Sequence, residues 1–198
     1  MRRIVMFNRV TADGYFAAPD GQLDWVVPDD EMDGAAVEAM PEADTILLGR
    51  KTYDMFESFW PKVLDNPNVS DPHVPQRTSP ALREMAIWIN DATKLLFSKT
   101  RKNATWKNTR VLSDLDPREI ENLKRQPGKD MMIFGSGSIV SRLTQHGLID
   151  EYQFIVNPTL IGSGRLLFSD VSKRSKLKLL EARAYPSGNV MLRYAPSK

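Results

Sequence analysis

Three short segments carry side chains that suit phosphate binding, each directly after an apolar run typical of a buried strand. They are Gly49-Arg50-Lys51-Thr52, Ser98-Lys99-Thr100 and Gly135-Ser136-Gly137-Ser138. Hydroxyl and cationic side chains donate hydrogen bonds to phosphate oxygens, and a glycine before a helix lets the chain approach an anion closely. Each segment is a weak signal by itself. Together, at strand ends in one small sheet, they predict a ligand with several phosphates.

The third segment also has an interpretation without a ligand. It lacks the final glycine of the dinucleotide-binding fingerprint, because Val140 stands at that position, and no acidic residue closes a strand ~20 positions later. A Rossmann assignment therefore fails. A Gly-Ser-Gly stretch between a strand and a helix is more often a structural turn than a binding site, so a tight turn stays an alternative for residues 135–138.

Asp30 is the main candidate for acid–base chemistry. It follows Trp25 and Pro28 in the stretch DWVVPDD, at the start of a predicted helix. An aspartate in the first turn of a helix commonly stabilises the helix dipole, by ~0.3–1 kcal/mol. If Asp30 instead packs against Trp25 and other apolar groups, burial would let it hold a proton near neutral pH and donate it to a substrate. Both interpretations stay open.

Composition argues against several other kinds of chemistry. The chain has 198 residues, no cysteine and two widely separated histidines, so neither thiolate catalysis nor a zinc site is expected. A net charge of +2 argues against a general nucleic-acid or membrane binder. No Gly-x-Ser-x-Gly elbow occurs, and no apolar run approaches the ~18 residues of a membrane span. Without a signal-peptide pattern, we expect a cytoplasmic protein that binds no metal.

The three segments must be positioned by alternating strands and helices. Apolar runs predict strands at 4–7, 44–50, 94–98, 109–112 and 130–134, and helical periodicity or capping residues follow most of them. Three strand-like stretches end the chain, and the last two form a hairpin through 186–189. This pattern predicts one α/β domain, residues 1–198, with a mostly parallel central sheet, helices on both faces and an antiparallel C-terminal hairpin.

One part of the chain departs from this alternation. Residues 51–59 fit a helix, but 61–78 contain four prolines and almost no periodicity, which predicts a long loop. Long ordered loops in compact domains are often functional. A mobile surface insertion without a role in the site is the other interpretation.

The segments, taken in order, resemble the dihydrofolate reductase-like superfamily. The resemblance rests on VTADGYFAAPDGQLDW, ILLGRKTYD, LLFSKT and MIFGSGSIVSRL, and it covers nearly the whole chain. The stretch GLIDEYQFIVNPTLIGSGRLLF is similar to the branch that contains the reductase domain of bifunctional riboflavin-pathway deaminase-reductases. The chain is identified as a stand-alone form of that branch, because no deaminase zinc motif is present.

The resemblance implies NADPH as the cofactor and assigns roles to the segments. Residues 49–52 would meet the pyrophosphate side, and 98–100 the 2′-phosphate, with Arg101 offering a further charge-assisted contact. Residues 135–139, including Ile139, would cradle the pyrophosphate and the ribose next to the nicotinamide. The segment from Val10 to Phe16 would lie near the nicotinamide itself, and Phe16 and Trp25 would lie near the substrate.

The resemblance also implies an activity. WVVPDD is similar to the Trp-x-x-Pro-x-Asp of the folate enzyme, which places Asp30 on its proton-supplying carboxylate, whereas Ile155 stands where that enzyme has a threonine. We therefore expect an NADPH-dependent reductase of a pyrimidine, ribosylamino-pyrimidine or pterin-like heterocycle, similar to 5-amino-6-(5-phosphoribosylamino)uracil reductase. The alternatives are dihydrofolate reductase proper and a non-catalytic NADPH-binding module. The family implies a homodimer.

Overall fold

The computed structural model describes residues 1–66, 69–70 and 79–197. Eight strands in these ranges form one sheet, and their bounds are β1 Ile4–Thr11, β2 Ala43–Gly49, β3 Thr93–Phe97, β4 Thr109–Leu112, β5 Asp130–Phe134, β6 Glu151–Asn157, β7 Leu177–Ala184 and β8 Val190–Pro196. The α-helices in the same ranges are α1 Asp30–Ala39, α2 Arg50–Asp65, α3 Pro80–Asp91, α4 Pro117–Arg125 and α5 Gly137–Gln145. None of the described helices is both long and apolar enough to span a bilayer.

The sheet has the strand order β4-β3-β2-β5-β1-β6-β8-β7. The strands from β4 to β6 run parallel to their neighbours, whereas β8 pairs antiparallel with both β6 and β7. This confirms the predicted fold class. Because β2, β5 and β1 are neighbours, the residues that follow β2 and β5 leave the sheet side by side.

The two faces of the sheet are covered by different helices. Successive residues of a buried strand point to opposite faces, so Leu47 packs with Ile139 and Leu143 of α5, and the flanking Ile46 and Leu48 pack with residues of α2 and α3. Helices α4 and α5 therefore lie on one face, and α2 and α3 lie on the other. Such two-sided cover is what a parallel sheet of apolar strands requires.

Helix α2 is longer than the sequence predicted. It was expected to end at Phe59, but it continues through Pro61 to Asp65. A proline inside a helix costs about 3 kcal/mol because it removes a backbone hydrogen bond. The added turn buries Val63 against Leu82 and Ala86 of α3, which offsets this cost. The predicted loop at 61–78 is thus wrong for residues 61–65, and residues 67, 68 and 71–78 lie outside the described part of the chain.

Candidate functional site

A cleft of ≈ 830 Å³ opens at the carboxyl ends of the central strands. This volume falls within the range of about 300–1,000 Å³ that is usual for small-molecule and cofactor sites. The three predicted segments, residues 49–52, 98–100 and 135–138, all line it. They lie at the carboxyl ends of β2, β3 and β5, and the parallel direction of these strands brings segments that are far apart in sequence to one edge of the sheet.

The ends of β2 and β5 are joined by hydrogen bonds. The backbone N–H of Gly49 donates to Oγ of Ser136 at 3.0 Å, and the N–H of Ser136 donates to Oγ1 of Thr52 at 3.1 Å. Asn8 of β1 donates from Nδ2 to the carbonyl of Gly135 at 3.3 Å. Both hydroxyls accept here, so each keeps its own proton for donation. The wall of the cleft is therefore preorganised.

The turn before α5 has an unusual backbone. Gly135 has a φ of 55° and Ser136 a φ of 51°, a conformation that residues other than glycine rarely adopt. A Cβ on Gly135 would lie 3.0 Å from Oγ1 of Thr52, and one on Gly137 would lie 3.0 Å from the ring of Phe16. These close contacts place the N-terminus of α5 at the cleft, next to the ring of Phe16. Residues 135–138 thus form a tight turn and also line the cleft.

Of the predicted phosphate-binding residues after β3, Ser98, Lys99 and Thr100 line the cleft, but Arg101 does not. Lys99 and Thr100 are exposed at its edge, and the buried Ser98 accepts the N–H of Arg101 at 2.9 Å. The expectation for Arg101 is wrong, because its guanidinium pairs with Asp54 at 2.5 Å and with Glu57 at 2.6 Å. It also lies over the ring of Tyr53, 4.8 Å from the centroid. Arg101 therefore fastens this segment to α2.

Burial and hydrogen bonding act in opposite directions on Glu57 of this cluster. Burial by itself would raise the pKa of Glu57, but hydrogen bonds from Arg101, Tyr53 and Thr105 hold the pKa below its ordinary value. The carboxylate therefore stays charged and remains a partner for Arg101.

Two carboxylates line the described part of the cleft, the buried Asp33 and the exposed Asp170. Asp30 is exposed in the first turn of α1 and does not line the cleft, and Asp29 caps the helix by accepting the N–H of Met32 at 2.9 Å. Asp33 is buried, lines the cleft and pairs with Arg9 of β1 at 3.2 Å. Sequence reasoning missed Asp33 and Arg9. The sequence feature that could have indicated Asp33 is a charged residue on the same helix face as the apolar Ala36 and Met40.

The other predicted residues are divided between the cleft and the core. Phe16 lines the cleft, whereas Val10, Trp25 and Ile139 are buried and do not belong to its lining. A Cβ on Gly49 would lie 3.6 Å from the side chain of Ile139, so Ile139 supports the cleft wall from behind.

Arg165 is a further cleft residue that sequence reasoning missed. Its Nη2 donates to the carbonyl of Pro19 at 3.1 Å, and a Cβ on Gly21 would lie 3.2 Å from Nη1. Residue 165 also forms a β-bridge with Ala17. Arg165 therefore holds the loop after β1 at the rim of the cleft, next to Phe16.

The chain matches a known protein family over nearly its whole length. Residues 2–191 match the family model of the RibD C-terminal domain. The chain belongs to this family. Among similar proteins of Bacillus subtilis (strain 168), the uncharacterised protein YyaP is 31% identical over 195 residues, which are 98% of this chain and 94% of YyaP. YwjB is 25% identical over 182 residues, covering 90% of this chain and 89% of YwjB.

Solved structures of RibD-type proteins and of dihydrofolate reductase share the fold. A candidate riboflavin biosynthesis protein from Shewanella sp. PV-4 superposes with a TM-score of 0.72 at 20% identity, covering 99% of both chains. The Thermotoga maritima diaminohydroxyphosphoribosylaminopyrimidine deaminase/5-amino-6-(5-phosphoribosylamino)uracil reductase gives 0.62 at 17% identity, with 99% of this chain and 57% of that one covered. Enterococcus faecalis dihydrofolate reductase, in complex with NADP(H), gives 0.59 at 10% identity, covering 99% and 97%. The fold is dihydrofolate reductase-like, and the family is related to reductases.

Proposed function

We propose that this RibD C-terminal domain protein is an NADPH-dependent reductase of a small heterocycle. The observation that carries the proposal is the convergence of residues 49–52, 98–100 and 135–138 on one preorganised cleft. The Thermotoga relative of the same fold is a reductase by name, and the Enterococcus one is complexed with NADP(H).

The residues of the cleft fit a dinucleotide with a third phosphate. Lys51 and Lys99 bring positive charge to its polar end, next to Arg50, which pairs with Asp54 at 3.3 Å. The hydroxyls of Thr52 and Ser136 are held in place with protons to donate. We propose that the segments after β2 and β5 hold the pyrophosphate, including Gly137 and Ser138 at the start of α5. Ser98, Lys99 and Thr100 hold the 2′-phosphate, while Val10 and Ile139 support the wall from the core.

The cofactor supplies a hydride when it is bound, so the work left to the protein is positioning and proton supply. Phe16 lies at the cleft with its ring against Gly137, where it would confine the reacting rings, and Trp25 supports the adjoining loop from the core. For the proton, the proposal passes from Asp30 to Asp33, because Asp33 is the buried one of the two described carboxylates, Asp33 and Asp170, that line the cleft. The acceptor would be a C=N or C=O bond of a pyrimidine or pterin-like ring.

The family relationship also supports a proposal about the oligomeric state. The edge strand β7 exposes Leu177, Leu179 and Leu180. An exposed apolar edge of this kind favours association with another chain, so we propose a homodimer.

Cofactor choice tests the role of Lys99. Replacing its ammonium in Lys99→Gln should weaken NADPH binding by about tenfold, since a charge-assisted phosphate contact contributes about 1.5 kcal/mol. NADH binding should be unchanged, because NADH lacks the 2′-phosphate. Dissociation constants measured by fluorescence titration for both cofactors provide the comparison. Equal affinity of the native protein for NADH and NADPH would remove the 2′-phosphate site from the proposal.

A pair of aspartate variants on α1 tests the proton supply. Asp33→Asn should lower the rate of NADPH oxidation in the presence of reducible heterocycles by about 10²-fold or more, the usual contribution of a general acid, with NADPH affinity retained. Asp30→Asn, on the exposed side of the same turn, is the matched control and should keep the native rate. The reverse result would restore Asp30 to the mechanism. Binding of NADPH without consumption, for every heterocycle tried, would favour the binding-module alternative.

A further inference from the structure

A cluster of ion pairs fastens helix α2 to residues 98–108, here called the β3–β4 connection. This connection begins with Ser98, Lys99 and Thr100, the residues proposed to hold the 2′-phosphate of the cofactor. We propose that Glu57 of α2, acting through Arg101, is a positioning residue that gives the cleft its selectivity for NADPH over NADH. This inference rests on the proposed reductase function and concerns the cofactor specificity of the same cleft.

The β3–β4 connection contains neither helix nor strand, although it presents side chains to the cleft. A segment without the hydrogen-bond ladder of a helix or a sheet owes a fixed position to its other contacts. Lys99 and Thr100 are exposed at the edge of the cleft. Their placement therefore depends on how the rest of the connection is held.

Arg101 is the residue through which the connection is held. Its backbone N–H donates to Oγ of Ser98 at 2.9 Å, and its Nε donates to the carbonyl of Asn103 at 3.1 Å. The two remaining guanidinium nitrogens donate to α2, Nη1 to Asp54 at 2.5 Å and Nη2 to Glu57 at 2.6 Å. All three nitrogens of the guanidinium thus donate within the protein, so Arg101 would affect a bound phosphate through the segment that it holds.

Glu57 is the firmer of the two anchors on α2. Its Oε1 accepts from the hydroxyl of Tyr53 at 3.0 Å and from Oγ1 of Thr105 at 3.1 Å, while Oε2 accepts from Arg101. Arg101 and Thr105 both belong to the β3–β4 connection, so Glu57 fastens it at two points. The side chain of Glu57 is 21% exposed, compared with 39% for Asp54, so solvent screens its contacts less.

The position of Arg101 is transmitted to the proposed phosphate site through Ser98. The hydroxyl of Ser98 accepts the N–H of Arg101, which leaves its own proton available for a phosphate oxygen. Charge-assisted and hydroxyl contacts to a phosphate depend on distance and angle, so displacement of residues 98–100 would weaken them together. NADH lacks the 2′-phosphate, so its binding would not change. The result would be a loss of selectivity.

Positioning and simple electrostatics predict opposite effects of removing the charge of Glu57. Burial by itself would raise the pKa of Glu57, but hydrogen bonds from Arg101, Tyr53 and Thr105 lower it, so the side chain is a carboxylate at neutral pH. A carboxylate repels a nearby phosphate, so its removal should strengthen NADPH binding if charge alone mattered. If Glu57 instead positions residues 98–100, its removal should weaken NADPH binding.

Glu57→Gln tests this inference by two measurements. Amide hydrogen exchange of the protein without cofactor should become faster at residues 98–105, because a neutral acceptor holds Arg101 less strongly. Fluorescence titration should show NADPH binding weakened by about fivefold or more, with NADH binding unchanged. The amide oxygen of glutamine can still accept from Tyr53 or Thr105, and a thermal melt checks that the variant is folded.

Asp114→Asn supplies the matched control for charge. Asp114 follows β4 at the same edge of the sheet, and its carboxylate pairs with Arg142 of α5 at 3.3 Å. This variant removes one negative charge but leaves the contacts of Glu57 intact. Its hydrogen exchange at residues 98–105 should stay native, and its NADPH affinity should stay native or rise slightly.

Three results would overturn the inference. These are native hydrogen exchange at residues 98–105 in Glu57→Gln, an unchanged or increased preference of that variant for NADPH, and an equal loss of NADPH affinity in Asp114→Asn. Hydrogen exchange is measured without cofactor, so native exchange in Glu57→Gln would count against the positioning role alone. If the native protein binds neither nucleotide, or both equally, the proposed cofactor site and the selectivity inference fail together.

Discussion

At the residue scale, positions 49 and 135 of the cleft favour glycine for different reasons. Gly135 has a φ of 55°, and a Cβ there would lie 3.0 Å from Oγ1 of Thr52, so the protein's own structure requires it. Gly49 has a φ of −78°, and a Cβ there would meet Ile139, Ser136 and Ser138 at ordinary distances of 3.6–3.8 Å. Nothing in the fold demands a glycine at position 49. A ligand that approaches the backbone closely would.

These glycines give a paired prediction. Gly49→Ala should keep the native melting temperature within a few degrees but weaken NADPH binding about tenfold or more, because its methyl group would lie beside the hydroxyls of Ser136 and Ser138, which belong to the proposed pyrophosphate site. Gly135→Ala should lower stability by about 1–3 kcal/mol, since alanine is strained at a positive φ. Thermal melts and cofactor titration on both variants distinguish the two effects. Native cofactor affinity in Gly49→Ala would show that no ligand passes close to residue 49.

At the element scale, a buried lysine attaches helix α3 to strand β3. Lys94 is fully buried, and its Nζ donates to the carbonyls of Ile89 and Asn90 at 3.1 and 2.8 Å, at the C-terminal end of the helix. The ammonium also lies 4.4 Å from the ring centroid of Trp106. Burial, with a smaller effect of Lys107, lowers the pKa of Lys94 from 10.5 to about 8.

The lowered pKa predicts how stability depends on pH. Between pH 8 and pH 10.5 the unfolded chain keeps the Lys94 proton that the folded protein releases, so folding stability should rise with pH in this window. Since one pKa unit corresponds to about 1.4 kcal/mol, the native protein should gain on the order of 2 kcal/mol relative to Lys94→Met. Urea unfolding of both proteins at pH 7.5 and pH 10 measures this gain. If the difference in unfolding free energy between the two proteins is the same at both pH values, the pKa of Lys94 is not lowered.

At the scale of the whole molecule, Glu151 joins the parallel part of the sheet to the antiparallel hairpin. It is 2% exposed at the start of β6 and accepts from Arg193 of β8 at 2.7 Å, from Gln153 at 2.7 Å and from Arg3 next to β1. Burial by itself would raise the pKa of Glu151, but the hydrogen bonds from Arg193, Gln153 and Arg3 hold the pKa below 4.5. The charged carboxylate is thus a shared partner of three strands or their flanks.

This arrangement predicts a loss of stability in acid. A carboxylate whose folded pKa is lowered contributes stability above its unfolded pKa, near 4.5, and loses that contribution as the pH falls through its folded value. Glu151→Gln should therefore be less stable than the native protein by about 1–3 kcal/mol at pH 7. The difference should shrink as the pH falls below 4.5. Denaturant unfolding across this range measures it, and a pH-independent difference would show that charge plays no part.

The sequence by itself determined the elements and the class of the fold. Alternating apolar runs and helical stripes are local signals, and they correctly predicted a mostly parallel sheet that ends in an antiparallel hairpin. It also indicated the three segments that line the cleft, because strand ends with hydroxyl and basic residues are recognisable locally. The local signal was wrong at Pro61, where packing of Val63 against α3 outweighs the cost of a proline in the helix.

Only the tertiary structure decided which side chains meet. Arg101 looked like a phosphate ligand, but Asp54 and Glu57 on α2 lie within its reach, although more than 40 residues separate them from it in sequence. Asp33 faces the cleft and Asp30 faces solvent because α1 turns its buried side toward β1, where Arg9 is its partner. Local periodicity specifies which face of an element is buried. The identity of the neighbour across that face depends on strand order, which is set by contacts between distant parts of the chain.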